Sequence, residues 1–311
     1  MWKQHLGALY GYMISKLRLG YAIGLMVTLS YSLWYLGLNV LVSLSTGSYA
    51  PLFPLLAIEL ISALIALAVM AAKGAVSELR FNPIYSVLSG IFLACGNYMF
   101  FTTINSNGIP FAGSFAAAEI VVFSLLLWAS TRTRKSVGFY VIGSALVAAG
   151  LIVESFRLSG SSVMLNAPLV EYGVALAVLY GIGTFFYYIS LERTKRQMAT
   201  MFAVQLSEAA FFAVLLAAYS ASITLPHFSA YYVIVVFAVA MALFLSFFGE
   251  TAMVNMLIPF GKGAVSTGYT LSDLQLIPVL MYSLAINPTY WASYTPGIAL
   301  IVIGSVFLQR G

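Results

Sequence analysis

Ten long apolar runs divide the chain, and no other feature constrains its fold as strongly. They lie at about 19–43, 51–73, 84–105, 110–131, 136–154, 168–192, 198–222, 229–258, 263–285 and 293–309, each bounded by charges or by a Pro, Gly or Asn break. A helix crosses a hydrocarbon core with about 17–25 residues. The runs reach that length, and none alternates in polarity as the strands of a membrane barrel do. Charged residues make up 7% of the 311 residues and hydrophobic ones 62%, whereas soluble domains carry about 25% charged residues. Too few charges exist to coat a water-facing surface. The expected fold class is an all-α integral membrane protein with ten transmembrane helices.

Loop charges orient it. With the N-terminus in the cytoplasm, the inner side holds Lys3, Lys16, Arg18, Lys73, Arg80, Arg132, Arg134, Lys135, Arg193, Lys195, Arg196, Lys262 and Arg310, and the outer side only Arg157. A miscounted span would mix these charges downstream, so the asymmetry predicts ten spans with both termini cytoplasmic. The same placement explains the net charge of +5 through anionic headgroups and gives no reason to expect nucleic acid. The start, residues 1–19, lacks the cleavage pattern of a signal peptide and reads as an amphipathic lead-in.

The halves echo each other. GNYMFFTTINSNG from Gly96 matches GETAMVNMLIPFG from Gly249, so Gly96/Gly249 and Gly108/Gly261 are each 153 positions apart. Glu119/Asp273 and Gly150/Gly304 are 154 apart, and YAIGLMV at Tyr21 matches YGVALAV at Tyr172. Five spans per half is an odd number, so the halves must insert in opposite senses, the inverted repeat of many transporters. The expected divisions are 20–155 for the first five-helix repeat, 156–167 for an outer linker made flexible by Ser159–Ser162, and 168–311 for the second repeat.

Five acids lie well away from the ends of these runs: Glu59, Glu119, Glu208, Glu250 and Asp273, with no basic residue equally deep. A charge at that depth costs about 2.5–3.5 kcal/mol on insertion scales, so such groups turn to a bundle interior or a wet cavity. Glu119 and Asp273 sit mid-run, neutral when dry and able to ionise when water or a cation arrives. Gln205 shares a helix face with Glu208, Asn255 lies five residues beyond Glu250, and Asn97 is the repeat counterpart of Glu250. Trp34, Tyr35 and Tyr98 are candidates for an aromatic box that would hold an ammonium beside a carboxylate. Pro278, five residues after Asp273, predicts a kink. Small-residue stretches at Phe111 and Ser144 predict close helix contact.

Ten spans, a five-plus-five inverted repeat and these paired motifs resemble the drug/metabolite transporter superfamily, in particular its EamA-like members. The resemblance rests on the Gly96/Gly249 and Glu119/Asp273 segments and on the glycine-bearing runs GFYVIGSALVAAGLIV and PGIALIVIGSVFL. It implies a central cavity lined by spans one to four and six to nine, with spans five and ten bracing the periphery. It also implies a carrier for a small metabolite or drug, often an exporter or exchanger, often proton-coupled. The branches that carry sugar phosphates would lead one to expect deep basic residues in the second half, and only Lys262 comes near, at an inner loop.

Other classes fit less well. Only His5 and His227 are present, near expected interfaces, with no HExxH motif, and Cys95 is alone. No metal site, cofactor or catalytic residue is expected. The reading is a plasma-membrane secondary transporter of a small cationic or zwitterionic solute, working by alternating access. Its expected partners are the substrate, the lipid bilayer and protons. An uptake carrier for an amino acid is the second reading, and a channel or structural subunit the third.

Overall fold

A computed structural model describes residues 2–45, 51–131, 137–159, 162–165, 167–219, 229–286 and 290–310. Arg132, Arg134, Lys135, Gly160, Ser161 and His227 lie outside the described residues, as does the side chain of Asp273.

Twelve described helices and one short hairpin make up the chain. They run α1 (Trp2–Leu44), α2 (Leu52–Ala72), a 3-10 turn (Val76–Leu79), α3 (Ile84–Asn107), α4 (Ile109–Ala117), α5 (Glu119–Thr131) and α6 (Val137–Ser155). After β1 (Phe156–Ser159) and β2 (Ser162–Leu165) come α7 (Ala167–Thr194), α8 (Gln197–Ala218) and α9 (Ala230–Leu257). A second 3-10 turn (Ile258–Phe260) leads to α10 (Lys262–Asp273), α11 (Leu276–Ile286) and α12 (Tyr290–Arg310). Among the described residues, eight segments are long and apolar enough to cross a membrane. The chain is an all-helical, multi-pass membrane protein, and exposed Leu, Ile, Val and Phe side chains on nearly every helix form its lipid-facing exterior.

Three expectations change. The lead-in of residues 1–19 is no separate element, because α1 continues unbroken from Trp2 into the first span. The flexible linker is instead an antiparallel hairpin, in register from Phe156 opposite Leu165 to Ser159 opposite Ser162. Phe156 and Leu158 alternate with polar neighbours, as do Val163 and Leu165 with theirs, the period that suits a strand, and pairing satisfies backbone groups that would otherwise be bare. The ninth run is interrupted four residues before Pro278, at Leu274–Gln275. Pro278 therefore falls in the first turn of α11, where a missing N–H costs no intrahelical bond.

The fourth run is interrupted too, at Ala118 between α4 and α5. Each broken segment is preceded by a glycine at positive φ: Gly108 (φ 85°, ψ 163°) and Gly261 (φ 88°, ψ 171°). Side chains with a Cβ avoid that conformation, so both glycines fix the sharp turn out of α3 and out of the 3-10 turn after α9.

Helices pack in defined pairs. The most extensive contacts join α1 to α9, α3 to α7, α2 to α8, and α6 to α12. Backbone touches backbone in the last pair. A Cβ on Gly150 would lie 2.5 Å from the Gly297 carbonyl oxygen, and one on Gly304 would lie 2.7 Å from that of Gly143. Small residues let helices approach where lipid gives no hydrophobic drive to associate. Gly150→Ala should lower stability by about 1–3 kcal/mol through overpacking against a carbonyl that cannot yield. Val141→Ala, on a lipid-facing side chain, should stay within about 0.5 kcal/mol. Thermal unfolding in detergent compares them.

Candidate functional site: a buried acidic and aromatic cavity

A small cavity of about 50 Å³ lies at the centre of the helices. A single water needs about 10–15 Å³ of such space, so this arrangement admits a few waters and no bulky solute. Tyr31, Trp34 and Tyr35 reach it from α1, Asn97 from α3, and Glu119 from the first residue of α5. Tyr180, Thr184 and Tyr187 face it from α7, Phe247 and Glu250 from α9, Tyr269 and Ser272 from α10, and Gln275 from the break before α11. The spacing explains the convergence: 31/34/35 and 180/184/187 follow the i, i+3, i+4, i+7 stripe of one helix face.

Its polar chemistry is one-sided. Glu119 and Glu250 are the acids, five phenols surround them, and among the described residues no Lys, Arg or His lines the space. Tyr31 Oη donates to Glu250 Oε2 at 2.6 Å, and Thr184 Oγ1 to Glu119 Oε2 at 3.3 Å. Gln275 Nε2 donates to Tyr35 Oη at 3.1 Å. Tyr187 and Thr251 share a short hydroxyl contact. Trp34 stacks on Phe100, ring centroids 5.8 Å apart, and tilts against Tyr35 at 4.9 Å. These partners hold the rings as a wall.

The broken ninth segment is stabilised from α1. Thr28 Oγ1 donates to the Leu271 carbonyl at 2.6 Å, and Ser32 Oγ to that of Gln275 at 3.1 Å. Both carbonyls also accept from the backbone, Leu271 from the Leu274 N–H and Gln275 from the Val279 N–H, each at 3.4 Å, so the α1 hydroxyls supplement long bonds at the break.

Behind the cavity is a second acidic cluster. Glu59 on α2 and Glu208 on α8 are both 0% exposed and come within hydrogen-bonding reach of each other. Asn97 Nδ2 donates to Glu208 Oε2 at 2.7 Å and to Glu59 Oε1 at 3.4 Å. The Asn97 Oδ1 in turn accepts from Tyr180 Oη at 2.7 Å. Asn97 and Tyr180 both line the cavity, so one amide and one phenol join the two clusters. A turn away, Gln205 Nε2 donates to Ser62 Oγ across the same α2–α8 contact. Gly90 on α3 makes this junction possible, since a Cβ there would lie 2.5 Å from the Val204 carbonyl oxygen.

The sequence candidates thus separate. Glu119, Glu250, Asn97, Trp34 and Tyr35 line the cavity. Glu59, Glu208 and Gln205 form the cluster behind it. Tyr98 is outside the lining and packs, half-buried, against the hydrophobic core. Asn255 also lies outside the lining and bonds its own helix at the Thr251 carbonyl, 2.6 Å away. Asp273 ends α10 at the break. The expected box of Trp34, Tyr35 and Tyr98 is replaced by one of Trp34, Tyr35, Tyr31, Tyr180, Tyr187 and Tyr269, because Tyr98 is rotated about 100° from Asn97 on the same helix. Thr184, Tyr269 and Gln275 are additions to the sequence candidates, and the 180/184/187 stripe was the available signal for Thr184. Glu154, at the end of α6, is a further buried acid, packed against Gly297 of α12.

No family model matches the chain, and no curated protein does. A solved structure described as "Crystal structure of protein" is similar over nearly its whole length: TM-score 0.64 and 19% identity, covering 93% of this chain and 95% of that one. At that identity the likeness speaks for the fold alone.

Two buried carboxyls in contact, with no cation beside them among the described residues, depend on the amide that donates to both. Asn97→Ala should cost about 1–3 kcal/mol through lost charge-assisted bonds. Glu208→Gln, which gives the pair a donor of its own, should leave stability unchanged or raise it. Thermal unfolding of the purified variants gives the two signs.

Proposed function

We propose that this chain is a secondary transporter of the EamA-like drug/metabolite type that carries a small cationic or zwitterionic solute, by export or exchange. The observation that carries the reading is the enclosed cavity with two carboxyls, a phenol and indole wall, and no basic side chain in its lining. Carboxylates set the sign of the solute, and ring faces reward an ammonium or a flat organic cation. An anionic solute would meet like charge in a desolvated space.

A ten-span, five-plus-five inverted repeat is part of the proposal, and four observations support it. Exchanging the halves turns the α1–α9 contact into the α7–α3 contact and returns the α2–α8 and α6–α12 contacts to themselves. It exchanges the Gly143–Gly304 approach with the Gly150–Gly297 approach. It carries the turn at Gly108 onto the matching turn at Gly261, each followed by a broken segment. A phenol bond also spans each of the two exchanged contacts, Tyr180 to Asn97 on α7–α3 and Tyr31 to Glu250 on α1–α9, and Asn97 and Glu250 are repeat counterparts. In an inverted repeat, the halves can trade conformations and so open the site to alternate sides. Within the same reading the loop charges place both termini in the cytoplasm, and the plasma membrane is the proposed residence.

The Glu59–Glu208 pair is assigned the coupling proton. Two adjacent carboxylates out of water and without a cation are costly, so the occluded arrangement holds a proton between them. No enzymatic role is assigned.

A thermal-shift screen of purified protein at two pH values tests the substrate class, since ligands that favour the native state raise its midpoint. Stabilisation by organic cations and zwitterions is expected. Hits confined to phosphorylated or carboxylated solutes would overturn it. Glu119→Gln and Glu250→Gln should each weaken binding of the best cation by about tenfold, equivalent to about 1.4 kcal/mol. Glu208→Gln should keep that binding and lose proton-driven flux in proteoliposomes. Saturating flux with trans-stimulation separates a carrier from a channel.

A further inference from the structure

We infer that a basic pocket, remote from the central cavity and formed where the α2–α3 and α7–α8 connections meet, binds the phosphate headgroup of an anionic membrane lipid. The pocket encloses about 380 Å³, and Arg80, Arg193 and Arg196 line it with Asn82, Tyr85 and Thr194, without an acidic side chain. Among the described residues no carboxylate pairs with these guanidiniums.

The arginines are held in place. Arg193 Nη1 donates to Tyr85 Oη at 2.8 Å, and its guanidinium lies 4.7 Å from the centroid of that ring. Tyr85 stacks in turn on Phe186, 6.2 Å between centroids. Arg196 Nη1 donates to the carbonyls of Glu78 and Arg80 and so ties the 3-10 turn to α8. Between Arg193 and Arg196, Lys195 has a φ of 54°, the one positive value at a non-glycine residue among those described. Left-handed backbone is unfavourable for a residue with a Cβ, and here it reverses the chain within a two-residue connection, so that Arg193 and Arg196 both reach the pocket. Planar guanidiniums pair with phosphate oxygens through parallel charge-assisted bonds, and fixing them beforehand lowers the entropic cost of binding.

The surroundings select a lipid over a free anion. Ile84, beside Tyr85, is 52% exposed, and Val87 and Ile91 continue an exposed apolar stripe along α3. The stripe has the i, i+3, i+7 spacing of one helix face. A headgroup in the pocket would therefore have an acyl chain laid along α3. Basic pockets between helices at a membrane surface suit such headgroups.

The test uses purified protein in detergent with phosphatidylglycerol, phosphatidylcholine or sodium phosphate, read by native mass spectrometry and thermal unfolding. The expected result is one retained phosphatidylglycerol, preferred over phosphatidylcholine by about tenfold, because the choline ammonium of the latter meets the guanidiniums as like charge. The preference should fall to near parity in Arg80→Gln/Arg193→Gln and persist in Lys16→Gln/Arg18→Gln. Tyr85→Phe, which deletes only the hydroxyl that holds Arg193, should lower it part of the way and serves if the double variant fails to fold. Equal retention of both lipids by the wild type, or an unchanged preference in the pocket variants, would overturn the assignment. Displacement of the lipid by millimolar sodium phosphate would also overturn it and make this a solute site. Transport enters none of these readouts, so the result stands apart from the proposed function.

Discussion

Hydrocarbon offers no hydrogen bonds, and the rest of this structure follows from that. Every peptide group at membrane depth must be bonded within the protein, so regular helix is the default, and any interruption must face inward toward other donors. Both interruptions obey the rule. The fourth segment breaks at Ala118, whose N–H still reaches the Ser114 and Phe115 carbonyls. The ninth breaks beside α1, where Thr28 and Ser32 donate to the Leu271 and Gln275 carbonyls, whose own backbone bonds are 3.4 Å long. Polar side chains thus gather where the backbone is broken, and a polar cavity forms at the same place. The first break also puts Glu119 at the start of α5, where the partial positive charge of a helix N-terminus favours a carboxylate.

Close packing is the second consequence. Without a hydrophobic drive between helices, contact depends on fit, and the glycines mark where fit is tightest. On α6 and α12 they let carbonyls approach the facing backbone from both sides. Gly90 does the same for α3 against α8 and thereby lets Asn97 reach Glu208. A glycine two turns before Asn97 is in this way part of how the acidic cluster is assembled.

Much of this was legible in the sequence because lipid imposes long, uniform signals. Run length gave the helices, and the constant offset between halves pointed to Gly108 and Gly261, whose shared conformation comes from the absence of a Cβ. Depth in a run marked Glu59, Glu119, Glu208 and Glu250, which turn inward, but not Glu154, which is buried at the end of its run. What sequence did not give is rotation about the helix axis. Neighbouring residues on a helix differ by about 100°, so Asn97 points into the cavity and Tyr98 does not, although both sit at the same depth. The breaks were hidden for a related reason. Nothing in FAGSFAAAE or TLSDLQL forbids a helix, and tertiary donors decide where the ladder opens. The hairpin at Phe156–Leu165 was obscured by the intervening small residues, which read as slack.

The two acidic clusters are separate, yet they share Asn97 and Tyr180, and that sharing gives a physical route for coupling. Asn97 has two amide hydrogens and one carbonyl oxygen. Its hydrogens are committed to Glu208 and Glu59, and its oxygen to Tyr180. With the amide fully engaged, a solute that draws the Tyr180 hydroxyl toward itself leaves the Asn97 oxygen without its donor, and the amide must reorient or move. Either motion withdraws a donor from the carboxyl pair and changes how strongly that pair holds its proton. In the proposed transporter, solute and proton then influence each other without competing for one carboxylate, because Glu119 and Glu250 receive the first and Glu59 and Glu208 the second. Within that proposal, the α2–α8 contact assigned the proton would return to itself on exchange of the halves, so the proton would sit at the point least displaced as the cavity opens from one side to the other.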